Sequence, residues 1–367
     1  MRQLKTFPRA AVISTQSWFL IAGAICLNLA IALPLAKILN TWIDESYTLR
    51  TTAAGVSYAI HQAIHFELQP PLYFALLALW RELDHSIFFA RLFSVICAAL
   101  LVYCAAQLSA RYAPSLHPAW AAYVVALNPA TMWAAEEIRT YALAGLLSGL
   151  LLWTFYDGYL SKESTRRARI MHALIAVISF YTQYFLSFVL LGSMLALLLL
   201  QRWAALRQYA VAMLFVGICS VPIIYALHQQ IAAGTSTYFS VASLRSLVFD
   251  IYTIAFFFVM PVSKLLVPLA GVHGARYVGV AGLVAATALI VFIRKSDARR
   301  FALVAWTIPI TVCIALALAF YATKEPFGYR YMFVAFMPVM LAVFVSLAEL
   351  QRRFPSFPAI WMAVFVI

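Results

Sequence analysis

Apolar runs separated by short polar segments recur along the whole chain of 367 residues. A run of about 20 apolar residues is what an α-helix needs to cross the hydrocarbon core of a bilayer. Backbone groups in lipid must pair within their own segment, so these runs predict helices rather than open strands. The pattern therefore predicts an all-α, polytopic transmembrane helical bundle with about ten to twelve spans.

The first half of the chain contains one long interruption between its first two spans, residues 40–86. Within it, PPLYFALLALW (70–80) is too short to cross comfortably and predicts a helix lying at the interface. We therefore predict a first outer loop that carries interfacial helices. The spans predicted around and after this loop are, approximately, residues 18–39, 87–109, 118–134 and 140–159.

The second half begins with an apolar run, residues 172–200, that is longer than one span requires. Arginines flank both of its ends, so we predict a hairpin of two spans that turns at YTQY. The stretch 246–268 predicts either a span or a re-entrant element. Further spans are predicted at about 210–227, 301–321 and 331–348.

Charged residues make up only 11% of the chain, against about 25% in a soluble domain. Positive charge collects in the cytoplasmic loops of membrane proteins, which places the basic segment SKESTRRAR (161–169) inside. This bias also explains the net charge of +13, so membrane lipid is an expected partner and nucleic acid is not. Most carboxylates then fall outside, in the loop 40–86 and in a second outer loop at about 134–140.

Three outer segments carry side chains suited to chemistry: Asp44-Glu45, EEIRTY (136–141) and FGYRYM (327–332). Together they offer a general base and cations that stabilise an anionic phosphate leaving group. Arginine suits this second task because its planar fork binds two phosphate oxygens at once. No Gly-rich phosphate loop, HExxH helix or serine elbow accompanies them.

Each of these segments also has a purely structural interpretation. The Asp44-Glu45 pair is compatible with a solvated helix cap, and Glu137 with Arg139 is compatible with a local ion pair. Arg330 is compatible with an interfacial side chain that extends toward the headgroups. His61 and His65 have i,i+4 spacing, but we predict no metal site there, because two histidines on a polar helix face are common.

The order of the motifs resembles that of the GT-C membrane glycosyltransferases. The resemblance is to the bacterial branch related to protein O-mannosyltransferases and aminoarabinose transferases, glycosyltransferase families 39 and 83. It covers the first half of the chain well and the second half thinly. The matching motifs are DES (44–46), QPPLYFALLALW (69–80), ARLFS (90–94), ALNPATMWAAEEIRTYAL (126–143), FYTQYF (180–185) and YRY (329–331).

The resemblance implies inverting transfer of a sugar from a polyprenyl-phosphate donor on the outer side of the membrane. It makes Asp44 the base, Glu45 and Glu137 its acidic companions, and Arg139 and Arg330 the groups that hold the donor phosphate. It leaves the use of a divalent metal open. Further residues are assigned to the phosphate (Tyr331) and to the substrates (Tyr73, Tyr141 and Arg91).

The chain also departs from the family pattern. Relatives often carry histidine where this sequence has Gln69, before PPLYF, and where it has Gln183, in FYTQYF. Many relatives also have a soluble C-terminal domain, whereas residues 1–367 predict a single transmembrane domain. The acceptor must then be bound by the loops or by a partner.

The sequence thus predicts a glycosyltransferase in the bacterial inner (plasma) membrane, with an extracytoplasmic active site. Its acceptor is a glycolipid, a glycan or a protein. A transporter or flippase for a lipid-linked or small substrate is the alternative, although such proteins place charges near the bilayer midplane. A non-catalytic scaffold is a third reading, under which neutral substitution of Asp44 and Glu137 is tolerated.

Overall fold

The structure is a computed structural model that describes residues 7–8, 13–232, 243–259, 299–323 and 327–356. Within these ranges the chain forms fifteen α-helices, and its one β element is an isolated bridge between Phe7 and Ser161. The predicted all-α class is therefore confirmed.

The helices follow the apolar runs of the sequence. They are α1 (Thr15–Ile38), α2 (Ile43–Thr51), α3 (Gly55–His65), α4 (Leu72–Arg81), α5 (Ile87–Tyr112), α6 (Pro118–Leu127), α7 (Pro129–Glu136), α8 (Tyr141–Phe155), α9 (Arg166–Thr182), α10 (Ser187–Leu199), α11 (Trp203–Cys219), α12 (Val221–Ala232), α13 (Leu244–Val259), α14 (Arg299–Thr323) and α15 (Phe333–Arg353). Short helical turns of other types are Tyr156–Leu160 (π) and Tyr184–Leu186 and Tyr329–Met332 (both 3₁₀).

Four helices of the described residues are long and apolar enough to cross a membrane: Thr15–Ile38, Ile87–Tyr112, Arg299–Thr323 and Tyr329–Arg353. A fifth is counted if α11 and α12, which meet at an angle of 64°, form one bent span. The chain is accordingly a polytopic integral membrane protein. The larger total of about ten to twelve spans stays a prediction.

Several predicted spans are divided into shorter helices at identifiable residues. The run 118–134 breaks between α6 and α7, where Pro129 follows Asn128. Proline cannot donate a backbone hydrogen bond, and the Asn128 side chain caps the new helix by accepting from the Ala130 N–H at 2.9 Å. The run 172–200 breaks at residues 183–186, which is where the sequence predicts a turn.

The described residues of two further stretches, the one predicted at the interface and the ambiguous one, form helices. PPLYFALLALW forms α4, a helix of 10 residues. The stretch 246–268 begins within α13, while residues 260–268 lie outside the described part of the chain.

Helix α15 lies at the centre of the bundle, because 94% of its most apolar segment is buried inside the protein. It packs on α14, α8, α5 and α13. Gly149 of α8 permits a close approach to α5, because a Cβ there would lie 2.8 Å from Cys104 Sγ. This contact gives the GxxxG spacing of Gly145 and Gly149 a packing role.

Candidate active site

The candidate site lies at a junction of four parts of the chain. These are the end of α1, the short helices α2–α4, the α7–α8 junction and the start of α15. Asp44 lies in the first turn of α2, where the positive end of the helix dipole favours a carboxylate. Its Oδ2 forms an ion pair with Nη1 of Arg330, from the 3₁₀ turn before α15. Their side chains are 18% and 32% exposed, so the pair is accessible from outside the protein. The structure thus joins the predicted base and a predicted phosphate-binding arginine.

Glu45 has a different environment from its neighbour, because its side chain is only 1% exposed. Its two oxygens accept from Arg91 Nε at 3.2 Å and Nη2 at 2.9 Å. They also accept from the backbone N–H groups of Ile138 at 2.9 Å and Trp42 at 3.3 Å. The geometry favours a positioning role for Glu45 over direct contact with a substrate.

Arg91, assigned to the substrates from the sequence, is 2% exposed. Besides Glu45, it donates to three backbone carbonyls at the end of α1, those of Ala36 (3.1 Å), Leu39 (2.7 Å) and Asn40 (3.1 Å). The last carbonyls of a helix have no partner within the helix, so Arg91 satisfies groups that would otherwise be orphaned. It therefore joins α5 to the end of α1 and to α2, and this geometry favours a structural role.

Arg139, predicted to bind phosphate, is also buried, and its ion pair is with Glu67 at 2.9 Å. The same Nη1 donates to Thr48 Oγ1 at 2.8 Å and approaches the Asp44 carbonyl at 3.4 Å. The second Glu67 oxygen accepts from Thr51 Oγ1 at 3.1 Å. Arg139 thus ties the α7–α8 junction to α2, and the geometry favours this anchoring over donor contact.

Glu137, at the α7–α8 junction, is 8% exposed. Its Oε2 accepts a hydrogen bond from the indole N–H of Trp42, and its backbone carbonyl accepts from Ser94 Oγ at 2.6 Å. Burial raises the pKa of Glu137 to about 7, although the Trp42 hydrogen bond opposes the rise. A carboxyl group with this pKa changes its charge near neutral pH.

Trp42 connects Glu137 to the ion pair. The Arg330 guanidinium carbon lies 5.4 Å from the centroid of its ring, within the range of a cation–π contact. The sequence analysis missed Trp42, because an aromatic residue at the end of a span is usually an interfacial anchor. The signal that could have identified it is its position two residues before Asp44.

Several aromatic side chains lie near Arg330, both in the sequence and in the structure. Trp133 of α7 stacks on Tyr141 with a centroid separation of 5.0 Å and meets the half-exposed Tyr329 at 5.3 Å. Tyr331, assigned to the phosphate, packs its ring against Phe185 at 5.6 Å and Phe320 at 5.0 Å. Tyr141 therefore lies at the candidate site, while the Tyr331 ring is directed into a neighbouring aromatic contact.

Tyr73, assigned to the substrates, is 1% exposed. Its ring meets Phe74 at 5.4 Å and Phe93 at 5.8 Å, in a small core formed mainly by α3, α4 and α5. This environment favours a packing role for Tyr73.

The two histidines of α3 are exposed, with ring centroids 4.6 Å apart. In the described part of the chain, His, Cys, Asp and Glu side chains form no group of three or more that could hold a metal ion. Relatives often carry histidine at the positions of Gln69 and Gln183. Gln69 lies in the connection between α3 and α4, where its N–H donates to the Ala63 carbonyl at 2.9 Å. Gln183 follows the end of α9, and its N–H donates to the Ser179 carbonyl at 2.9 Å.

Comparisons of sequence give no relative, since no family model and no curated protein matches the chain. Solved structures do match. One is the crystal structure of ArnT from Cupriavidus metallidurans bound to undecaprenyl phosphate, with a TM-score of 0.60 and 15% sequence identity. The match covers 96% of this chain and 64% of that protein.

The present chain therefore shares the polytopic helical fold of this ArnT structure over nearly its whole length.

Proposed function

We propose that the protein is a membrane glycosyltransferase that transfers a sugar from a polyprenyl-phosphate donor to an acceptor outside the cytoplasm. The bacterial inner membrane is its proposed location, and a glycolipid, a glycan or a protein is its acceptor. The relation to protein O-mannosyltransferases and aminoarabinose transferases, which the motif order suggests, belongs to the same proposal.

The ion pair between Asp44 and Arg330 is the observation that supports this function best. The two residues come from opposite ends of the described chain, yet their charged groups meet beside the layer of short helices α2–α4. An arginine has five N–H donors, so Arg330 can contact Asp44 and still present donors to a phosphate oxygen. A base and a cation for the leaving group are the two groups that the reaction requires.

In the proposed reaction, the acceptor hydroxyl attacks the anomeric carbon of the donor sugar. Asp44 takes the hydroxyl proton as the new C–O bond forms, and the bond from the sugar to the phosphate oxygen breaks. The electron pair leaves with the polyprenyl phosphate, whose charge Arg330 stabilises. Attack opposite to the leaving group inverts the anomeric configuration.

The fold of the solved neighbour gives independent support. The ArnT structure contains bound undecaprenyl phosphate, a molecule of the class proposed as leaving group here. The buried pairs Glu45–Arg91 and Arg139–Glu67 hold α2 in place, which fixes the position of Asp44.

Transfer by the purified protein tests this function. Lipid extracts and defined polyprenyl-phosphate sugars are incubated with the protein, and the anomeric configuration of the product is determined. Glycan and lipid profiles of cells with and without the chain identify the acceptor. Donor-dependent transfer with inversion is the expected result, whereas movement of the lipid-linked sugar across vesicles without transfer would establish the flippase alternative.

The side of the membrane on which the site lies requires its own test. Cysteines introduced at positions 57 and 164 are treated in intact cells with a membrane-impermeant thiol reagent. Labelling at 57 and protection at 164 is expected from the charge bias. The opposite pattern would place Asp44 on the cytoplasmic side and overturn the extracytoplasmic reaction.

A further inference from the structure

Trp42 makes two contacts that use different parts of its side chain. The edge of the indole, through the N–H group, donates to Glu137 Oε2. The face of the ring lies 5.4 Å from the Arg330 guanidinium carbon. Arg330 itself is paired with Asp44, so one side chain touches two members of the candidate site and lies two residues from a third.

The chemistry of indole makes these contacts separable. The N–H is a donor only, and it stabilises an ionised carboxylate more than a protonated one. The ring face carries a negative quadrupole that attracts a cation, and tryptophan is the strongest aromatic partner for arginine. A substitution can therefore remove one contact and leave much of the other.

The backbone of Trp42 is also held in place. Its N–H donates to Glu45 Oε2 at 3.3 Å, and the Glu45 carboxylate is fixed by Arg91. The Trp42 backbone is thus joined to the buried Glu45–Arg91 pair. This contact fixes the point from which the indole reaches Glu137 and Arg330.

We propose that Trp42 is a positioning residue, which holds Glu137 by its indole N–H and Arg330 by its ring face, and so sets the separation between the second carboxylate and the phosphate-binding cation. The proposal rests on the function proposed above and assigns a residue that the motif analysis does not include. Trp42 acts through Glu137 and Arg330 and needs no contact with the reacting atoms.

Several charged or titratable groups lie near Glu137 and affect its pKa together with Trp42. Glu45 of α2 favours the protonated form, whereas Arg91 of α5 and Arg139 favour the ionised form. Tyr141 of α8 and Tyr329 of the turn before α15 also interact with Glu137. Glu136, the preceding residue, is a further carboxyl group and interacts with Arg91. Loss of the indole N–H removes one group that favours the ionised form, so the pKa of Glu137 rises above its value of about 7.

The test uses two variants, each of which removes one of the two Trp42 contacts and keeps the other. W42F removes the N–H and keeps an aromatic face, while W42Q removes the face and keeps an N–H donor. Trp203→Phe, at the exposed start of α11, is the matched control. Two quantities are measured on purified protein: the titration of the Glu137 carboxyl by infrared difference spectroscopy, identified by its loss in E137Q, and the Kd for undecaprenyl phosphate.

We expect W42F to raise the pKa of Glu137 by about one unit and to change the Kd by less than about twofold. We expect W42Q to weaken undecaprenyl phosphate binding by about fivefold and to leave the Glu137 titration closer to that of the wild type. Equal effects of both variants on both quantities, or no effect of either, would overturn the positioning role.

Two further points keep the outcome interpretable. If W42F does not fold, β-(3-benzothienyl)alanine at position 42 replaces the indole N–H by sulfur with almost no change of shape. The infrared titration requires neither transfer nor donor binding. Absence of transfer in the wild type would therefore refute the proposed function, while an unchanged Glu137 titration in the N–H-deficient variants would refute the role of Trp42.

Discussion

Asp44 and Glu45 are consecutive residues, yet their carboxylates bind arginines from different parts of the chain. Asp44 pairs with Arg330 at the accessible edge of the site, and Glu45 pairs with Arg91 in the interior. Two adjacent positions of α2 point in different directions around the helix, which allows one to serve chemistry and the other to hold the helix in place.

Asp44→Asn is expected to abolish most of the transfer. The substitution keeps the shape of the side chain and removes its basicity, and loss of a general base costs about 10²–10⁴-fold in rate. We expect a folded, membrane-inserted protein whose kcat falls at least about 100-fold. Asp84→Asn, an exposed change in the same segment between α1 and α5, is the matched control. Normal turnover of Asp44→Asn at equal expression would remove Asp44 from the mechanism and favour the flippase or scaffold readings.

Glu45→Gln is expected to affect stability more than chemistry. Removing one partner of a buried ion pair leaves an uncompensated charge, at a cost of about 3–5 kcal/mol. Thermal unfolding in detergent measures this loss. Glu82→Gln, at an exposed site, provides the comparison. A variant of unchanged stability that has lost transfer would instead show that Glu45 takes part in the reaction.

Arg330→Ala is expected to act on the donor. It removes a charge-assisted contact worth about 1.5–3 kcal/mol, so the donor KM rises or kcat falls, and lysine rescues only in part because it lacks the planar fork. Steady-state kinetics over a range of donor concentrations distinguishes the two effects. Arg207→Ala, on the exposed surface of α11, is the control. Unchanged kinetics would make the YRY turn an interfacial anchor.

Glu137 is expected to make stability depend on pH near neutrality. Its pKa is raised from 4.5 to about 7, so the folded protein binds more protons than the unfolded chain between these values. Stability from this group is present at low pH and is lost as the pH rises through about 7. Between pH 4 and 8, the stability of the wild type should therefore fall relative to that of Glu137→Gln from about pH 4.5 to about 7, and the two curves should run parallel above pH 7. Curves that stay parallel over the whole range would contradict the raised pKa.

The double variant His61→Gln, His65→Gln is expected to retain activity within several-fold of the wild type. The two side chains are exposed on α3, and neither takes part in the Asp44–Arg330 ion pair. Transfer is measured with and without a chelator. Loss of activity in the double variant, or inhibition by chelator that a divalent ion reverses, would establish the metal site that we do not expect.

The sequence allowed the class of fold to be predicted because lipid imposes one strong constraint, a helix of sufficient apolar length. It also predicted that Asp44 and Arg330 come together, and the two side chains form an ion pair. It did not identify the partners of the buried arginines. Arg139 is closer in sequence to Glu137 but pairs with Glu67, because that choice depends on how α2 and α3 pack against the α7–α8 junction.

The break at Pro129 was beyond a reading of hydropathy, because it interrupts a predominantly apolar segment. The turn at 183–186 was predictable, because arginines flank both ends of its long apolar run. Trp42 was missed for a related reason: an interfacial aromatic and a positioning aromatic have the same sequence signature, and only the contacts to Glu137 and Arg330 distinguish them.

Arg91 fixes more than the conformation of a loop. Its donation to the carbonyls of Ala36, Leu39 and Asn40 ties the end of the first span to α5. Helices usually adapt to bilayer thickness by tilting or by local thinning of the lipid, so that their ends move with the membrane surface. Because the same guanidinium is paired with Glu45, the end of α1 is joined to both α2 and α5 by buried contacts. We therefore expect a thicker or thinner membrane to change the position of the lipid around Asp44 more than the arrangement of the site itself.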